Sequence, residues 1–375
     1  MEKILFTATV DSHILNFHIP FLKWFKEQGY EVHVASNGNS DIPFVDIKHN
    51  IPFERSPIKL ANSKAYKQLK KIIDDNNYKL IHCHTPMGSV LTRLAAKKAR
   101  KKETKVIYTA HGFHFFKGAS LINWVLYYPV EKWMSKYTDC LITINDEDYE
   151  CAVRKKLKAC SIKKVNGVGI DLNKFKPQTL EKKKELRKQY GYNENDFILI
   201  CIGELNHNKH QDLLINVVNV LKNKIPNVKL LLVGSGNLMD QYKNQVKKID
   251  LDRYIEFLGY RSDVPNLLSI SDILVSASRR EGLPVNVMEA MATGLPLVVT
   301  DCRGNKDLVK NGENGFVIGI DDVYEFANAV DKLHKSKELR WKFGQKSLEF
   351  IKDYSVENVR KEMEKIYEVY IKNSR

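Results

Sequence analysis

The six cysteines of this 375-residue chain (Cys83, Cys140, Cys151, Cys160, Cys201, Cys302) include no C-x-x-C pair. That absence excludes a zinc knuckle, offers no disulfide framework and favours a reducing compartment. No uncharged apolar run reaches the ~18 residues that a membrane-spanning helix needs. The opening MEKILFTATV lacks the basic region, long apolar core and cleavage site of a secretory signal. Internal repeats, low-complexity tracts and recognisable nucleic-acid motifs are missing too, so no nucleic-acid partner is expected. What remains, 43% hydrophobic and 28% charged, is the composition of a folded cytoplasmic protein long enough for two domains.

Charge is abundant and unevenly placed. The net charge is +15, and residues 1–170 carry 27 Lys and Arg against 16 Asp and Glu, whereas the remainder carries 33 against 29. A basic first half beside a nearly neutral second half points to an anionic partner for the first, unless the lysines simply solvate helices. Short apolar runs alternate with helical stretches throughout. KILFTATV, EVHVAS, LIHCHT, KVIYTA and CLITIN, then FILICIG, KLLLVGSG, DILVSAS, LPLVVTD and GFVIG, read as strands. Two Rossmann-like parallel sheets in tandem are the economical α/β architecture. Gly167, Gly169 and Pro177 mark a linker, giving a first domain over 1–172, a second over 173–354, and a last helix over 355–375.

The segment SRREGLPVNVMEAMATGLPLVVT, residues 278–300, carries the densest candidate chemistry. Pro284 suits a helix start and Gly294 a helix stop, so a helix spans about 284–293 between two strands. Its N-terminus lies at the carboxyl edge of a parallel sheet, where free amides favour a phosphate. Glu281 and Glu289 would be repelled by that phosphate, so they are expected on hydroxyl groups of a sugar or ribose. For an isolated pair, helix capping and solvation would explain both as well.

The pair is not isolated. The string from Ser278 through EGLPVNVMEAMATGLPLVVTD resembles the signature of glycosyltransferase family 4, whose members are retaining, nucleotide-sugar-dependent enzymes of the two-domain GT-B fold. LIHCHTP, TAHGFHFF, GVGIDLNKFKP, the VGSG loop, FLGYRSDVPNLLSISDILVSAS and NGENGFVIG match in order, covering nearly the whole chain. The N-terminal HILNFHIPFLKWFKEQGYEVHVAS resembles a bacterial branch that acts in capsule, exopolysaccharide and surface-glycan pathways.

The resemblance implies two sheets facing a cleft, with the last helix crossing back to the first domain. It implies Glu289 on the donor ribose, Glu281 facing the transferred sugar, and the backbone at Gly282, Leu283 and Val285 near the diphosphate. Lys209 matches the lysine that neutralises the leaving diphosphate, and His111 the histidine that faces the reacting sugar from the first domain. Gly203, Gly234 and Gly236 match loops near the nucleotide. Where the family commonly has Arg after the strand glycine, this chain has Glu204, so Arg279 or Arg280 is the expected replacement cation. The Gly-Gly loop of many relatives is also absent; Thr9 to His13 stand there instead.

Metal binding is not expected. His82 and His84 form an H-x-H with no neighbouring ligand pair, and the D-x-D of Asp146 and Asp148 reads as a helix start. For the acceptor, aromatic and basic residues interleave around Trp124 and Lys117, and the helix after Gly88 carries Arg93, Lys97 and Lys98. With His13, these residues are the candidates for an anionic membrane face or a polyprenyl-diphosphate glycan. The expected activity is transfer of an N-acetylhexosamine from a UDP donor to a lipid-linked acceptor at the inner membrane face, without cofactor. A UDP-sugar 2-epimerase of the same fold, or a non-catalytic nucleotide-sugar or nucleic-acid binding module, are the rival readings.

Overall fold

The computed structural model describes residues 1–372. The chain divides into two compact units, one formed by residues 1–169 with the segment from Val356 onward, the other by residues 170–355. Residues 373–375, which the sequence reading includes in the last helix, lie outside the described residues.

In the first unit seven strands form one parallel sheet: β1 Lys3–Val10, β2 Glu31–Asn37, β3 Ile47–Asn50, β4 Leu80–His84, β5 Lys105–Ala110, β6 Cys140–Thr143 and β7 Ser161–Lys164. Their spatial order is β3-β2-β1-β4-β5-β6-β7. Strand order reverses between β1 and β4, which pair from Ile4 opposite Leu80 to Thr7 opposite Cys83. Residues just past Val10 and at His84 therefore emerge side by side at the carboxyl edge, where such sheets bind ligands. Both strands are buried through their centres, as expected of a sheet covered on two faces.

The second unit holds β8 Phe197–Ile202, β9 Val228–Val233, β10 Ile255–Gly259, β11 Ile273–Ser276, β12 Leu297–Thr300 and β13 Gly315–Ile318. Their order is β10-β9-β8-β11-β12-β13, again all parallel, with the reversal between β8 and β11. Leu199, Leu230, Leu232, Val275 and Val298 build its core with Val218 and Phe326 from the covering helices. Each such side chain contributes about 1.5–3 kcal/mol by leaving water.

Helix Val356–Lys372 belongs to the first unit. Its buried stripe is Val359, Met363 and Tyr367, at four-residue spacing. The Tyr367 ring stacks on Trp24 at 5.8 Å, and its hydroxyl lies 2.8 Å from His82 Nδ1.

Candidate active site

In the second unit, the loops leaving β8 and β11 are tied together. The Arg279 amide donates to the Asn208 carbonyl at 2.8 Å, and Asn208 Nδ2 donates to the Arg280 carbonyl at 3.0 Å. Asn286 Nδ2, in the helix after β11, donates to the Ile202 carbonyl at 2.7 Å. These bonds bring two expected residues into contact: Lys209 Nζ donates to Glu281 Oε1 at 2.6 Å, both side chains largely shielded from water.

The glycines explain how closely these loops approach. A Cβ on Gly234 would lie 2.1 Å from the Gly203 carbonyl oxygen, and one on Gly236 would lie 2.2 Å from the Leu205 carbonyl oxygen. Backbone there meets backbone, with no room for a side chain. A Cβ on Gly203 would sit 3.1 Å from Lys209 Cε, so the lysine stem lies along the glycine.

The helix after β11 is Val285–Thr293, one residue shorter than expected. Pro284 occupies the N-cap with extended backbone (φ −75°, ψ 114°) rather than the first helical turn, and Gly294 closes the helix in the left-handed region. Leu283 is buried, while Gly282 and Val285 are half-buried at the helix start. Glu289 sits in the helix, half-buried, and burial pushes its carboxyl up to about 7, against a smaller opposing effect of Lys174. Burial also pushes the thiols of Cys201 and Cys302 up to about 12, which leaves neither as an activated nucleophile.

Arg279 donates to Asp321 Oδ1 at 3.0 Å and lies 2.7 Å from His210 Nε2. Arg280 is half-buried and presents its carbonyl to Asn208. A third arginine, missed in the sequence, supports the site: Arg303 is 6% exposed and its Nε donates to the Glu281 carbonyl at 2.8 Å. Beside it, a Cβ on Gly304 would lie 2.5 Å from the Gly282 carbonyl oxygen. The only sequence signal is an Arg-Gly just past strand LVVT.

In the first unit, His111 follows β5 and gathers with His13, His18 and His84 at the carboxyl edge. One ring nitrogen from each lies within 4.8 Å of the others. The H-x-H is therefore split: His84 joins the cluster, whereas His82 points its nitrogens at the Tyr367 and Thr109 hydroxyls, each 2.8 Å away. Burial holds all five imidazoles below their usual range, His13 at about 4 and His82 at about 3. Asp146 and Asp148 lie in the first turn of helix Asp146–Arg154, with Asn145 capping the Asp148 amide.

One residue of the acceptor set is not a surface group. Arg93 is fully buried, bonded to both Glu131 oxygens at 2.6 and 3.2 Å, with its guanidinium 4.1 Å from the Tyr108 ring centre. A buried, bidentate guanidinium is satisfied inside the protein and has no donors to spare for a headgroup. Trp124 is half-buried against Phe115, and its indole donates to the Phe116 carbonyl at 3.2 Å. Lys97, Lys98 and Lys117 are exposed.

Two doubly wound parallel-sheet units, one with a lysine–glutamate pair at its switch point beside a glycine-lined helix start, are the α/β architecture of the GT-B class. Residues 182–350 match the glycosyl transferases group 1, and residues 3–145 match the glycosyl transferase 4-like domain. The chain is 46% identical to the putative glycosyltransferase EpsD of Bacillus subtilis over 99% of its own length and 97% of that protein. It is 31% identical to the UDP-Gal:alpha-D-GlcNAc-diphosphoundecaprenol alpha-1,3-galactosyltransferase of Escherichia coli, covering 83% and 80%. Its fold matches Anabaena HepE, solved with UDP and glucose, at a TM-score of 0.79, with 20% identity and 98% and 100% coverage. The chain belongs to glycosyltransferase family 4 and is a glycosyltransferase.

Proposed function

We propose that the chain moves a hexose or N-acetylhexosamine from a UDP-linked donor to a polyprenyl-diphosphate-linked acceptor, with retention at the anomeric carbon. The Lys209–Glu281 pair carries this reading. An ammonium held 2.6 Å from a carboxylate beside a helix N-terminus is poised to exchange that partner for a diphosphate. Glu281, relieved of the lysine, then accepts from hydroxyls of the transferred sugar. Glu289 takes the ribose diol. Attack comes from the leaving-group side, with the departing phosphate as base. The relatives' names support a lipid-linked acceptor. A screen of UDP-sugars with purified lipid acceptor tests the proposal; release of free UDP-linked product without acceptor would favour the epimerase reading.

Glu289 makes donor binding depend on pH. A carboxylate accepts two hydroxyl donors, whereas a carboxylic acid spends one oxygen as a donor. With its carboxyl at about 7, UDP-sugar affinity is expected to rise about tenfold from pH 6 to pH 8. The phosphodiester of a UDP-sugar does not titrate there, so a slope that persists in Glu289→Gln would assign the effect elsewhere. For stability the sign is opposite. Between the ordinary 4.5 and about 7 the native state holds more protons than the unfolded one, so this group's contribution falls as pH rises.

Helix Leu121–Met134 supports the membrane part of the proposal. Leu121, Ile122, Val125 and Leu126 are 83%, 68%, 70% and 57% exposed, at helical spacing, with Lys117 and Lys136 also exposed nearby. An apolar face flanked by lysines fits the headgroup region of an anionic bilayer. No helix among the described residues is long and apolar enough to cross one. The protein is expected to float with phosphatidylglycerol vesicles, to be released by salt, and to lose binding in Val125→Glu/Leu126→Glu. Equal flotation of that variant would remove this surface from the proposal.

A further inference from the structure

The histidine cluster at the first unit's switch point has a physical problem that the transfer reaction does not solve. His84 is completely buried and His18 is 2% exposed, their rings stacked with centres 3.8 Å apart. His13 and His111 meet edge to face at 4.7 Å. Neutral imidazole has one N–H to give and one lone pair to fill. Here His13 Nε2, both nitrogens of His18 and His84 Nε2 are buried without a hydrogen-bond partner. Each such group costs about 1–3 kcal/mol. His82, one layer beneath, shows the ordinary solution, since both of its nitrogens meet hydroxyls. The four above it have mainly one another.

Four imidazoles that each bring a ring nitrogen within 4.8 Å of the other three, with four of their buried nitrogens lacking a partner, offer a metal ion its donors. Metal–nitrogen bonds of 2.0–2.1 Å in a tetrahedron place neighbouring nitrogens about 3.3 Å apart. His84 Nδ1 and His111 Nε2 are 3.3 Å apart, and all four donors lie within 4.8 Å; binding requires the stacked His18 and His84 rings to turn until their in-plane lone pairs meet at one point. The donors come from four places that the β1–β4–β5 edge brings together: helix Asp11–Phe17, the residue that links it to helix Ile19–Glu27, the end of β4 and the turn after β5. The set is all imidazole, with no carboxylate, which selects zinc, cobalt, nickel or copper over magnesium and calcium.

We propose that His13, His18, His84 and His111 form a tetrahedral binding site for a divalent ion of the zinc class. This goes beyond the transfer reading and gives His111 a different task from the one the family resemblance implies. The test is titration of the full chain, stripped with a chelator, with Co²⁺ as the probe. One equivalent is expected to give the strong visible absorption of four-coordinate cobalt, discharged by one equivalent of Zn²⁺, and Zn²⁺ is expected to raise the melting temperature. His13→Gln, at a half-exposed position that tolerates a polar side chain, and His111→Gln should each weaken Co²⁺ affinity at least tenfold while the metal-free melting curve persists. His207→Gln, in the second unit, should leave it unchanged. The proposal is overturned by no saturable binding, by the weak spectrum of six-coordinate cobalt, or by affinity unchanged in both cluster variants.

Discussion

Lys209→Ala is expected to lower kcat for sugar transfer by about 10²–10³-fold, or roughly 3–4 kcal/mol of transition-state stabilisation, with a much smaller change in KM. The charge of the leaving diphosphate grows only as the glycosidic bond breaks, so its partner matters more in the transition state than in the ground state. Steady-state kinetics with a UDP-sugar and purified acceptor would show the split. Removing the lysine also leaves Glu281 without its 2.6 Å partner, and Glu281→Gln should itself reduce turnover. Because each lies in the other's contact shell, the double variant should cost less than the sum of the singles. Gly203→Ala should partly mimic the lysine loss, since the new methyl group would stand 3.1 Å from Lys209 Cε. Near-normal kcat in Lys209→Ala would remove the lysine from the chemistry.

The largest stability effect is expected in the first unit. Arg93→Met strands Glu131, which is only 8% exposed and loses both guanidinium bonds. Breaking one side of a buried pair costs about 3–5 kcal/mol, whereas replacing both partners with apolar groups is often neutral. Arg93→Met/Glu131→Leu is therefore expected to recover most of what Arg93→Met loses, as read by urea unfolding. A single variant within 0.5 kcal/mol of the parent, a threshold for ordinary surface changes, would show that the pair is not structural.

Arg93 also shows where the sequence misleads. It lies among Lys97, Lys98, Arg100, Lys101 and Lys102, and a run of positive residues reads as one solvated face. In the helix Pro86–Ala95 it instead points inward, a distinction that depends on a glutamate 38 residues away. The strands were legible wherever they are central. Those that escaped notice, β3, β7 and β10, all lie at sheet edges, and IKHN and SIKK carry almost no apolar run because half-covered strands need none. In the second unit the Lys209–Glu281 contact was foreshadowed by motif, but Arg303 was not, because its part is to hold a carbonyl, and carbonyls leave no trace in composition. The histidine cluster was half visible: His82-x-His84 stood out by spacing, yet His13, His18 and His111 are distant in sequence and only the β1–β4–β5 edge assembles them.

The return of helix Val356–Lys372 to the first unit has a consequence for how the chain is made. Tyr367 supplies the hydroxyl beneath the histidines and the ring against Trp24, yet it is synthesised 198 residues after Gly169, where the first unit otherwise ends. At about 5–20 residues per second, the ribosome takes roughly 10–40 s to cover that distance. Throughout that interval the nascent first unit exposes the groove that Tyr367 will fill. The second unit is complete before the helix that closes the first has emerged, so the order of completion on the ribosome reverses the order of the units in the sequence.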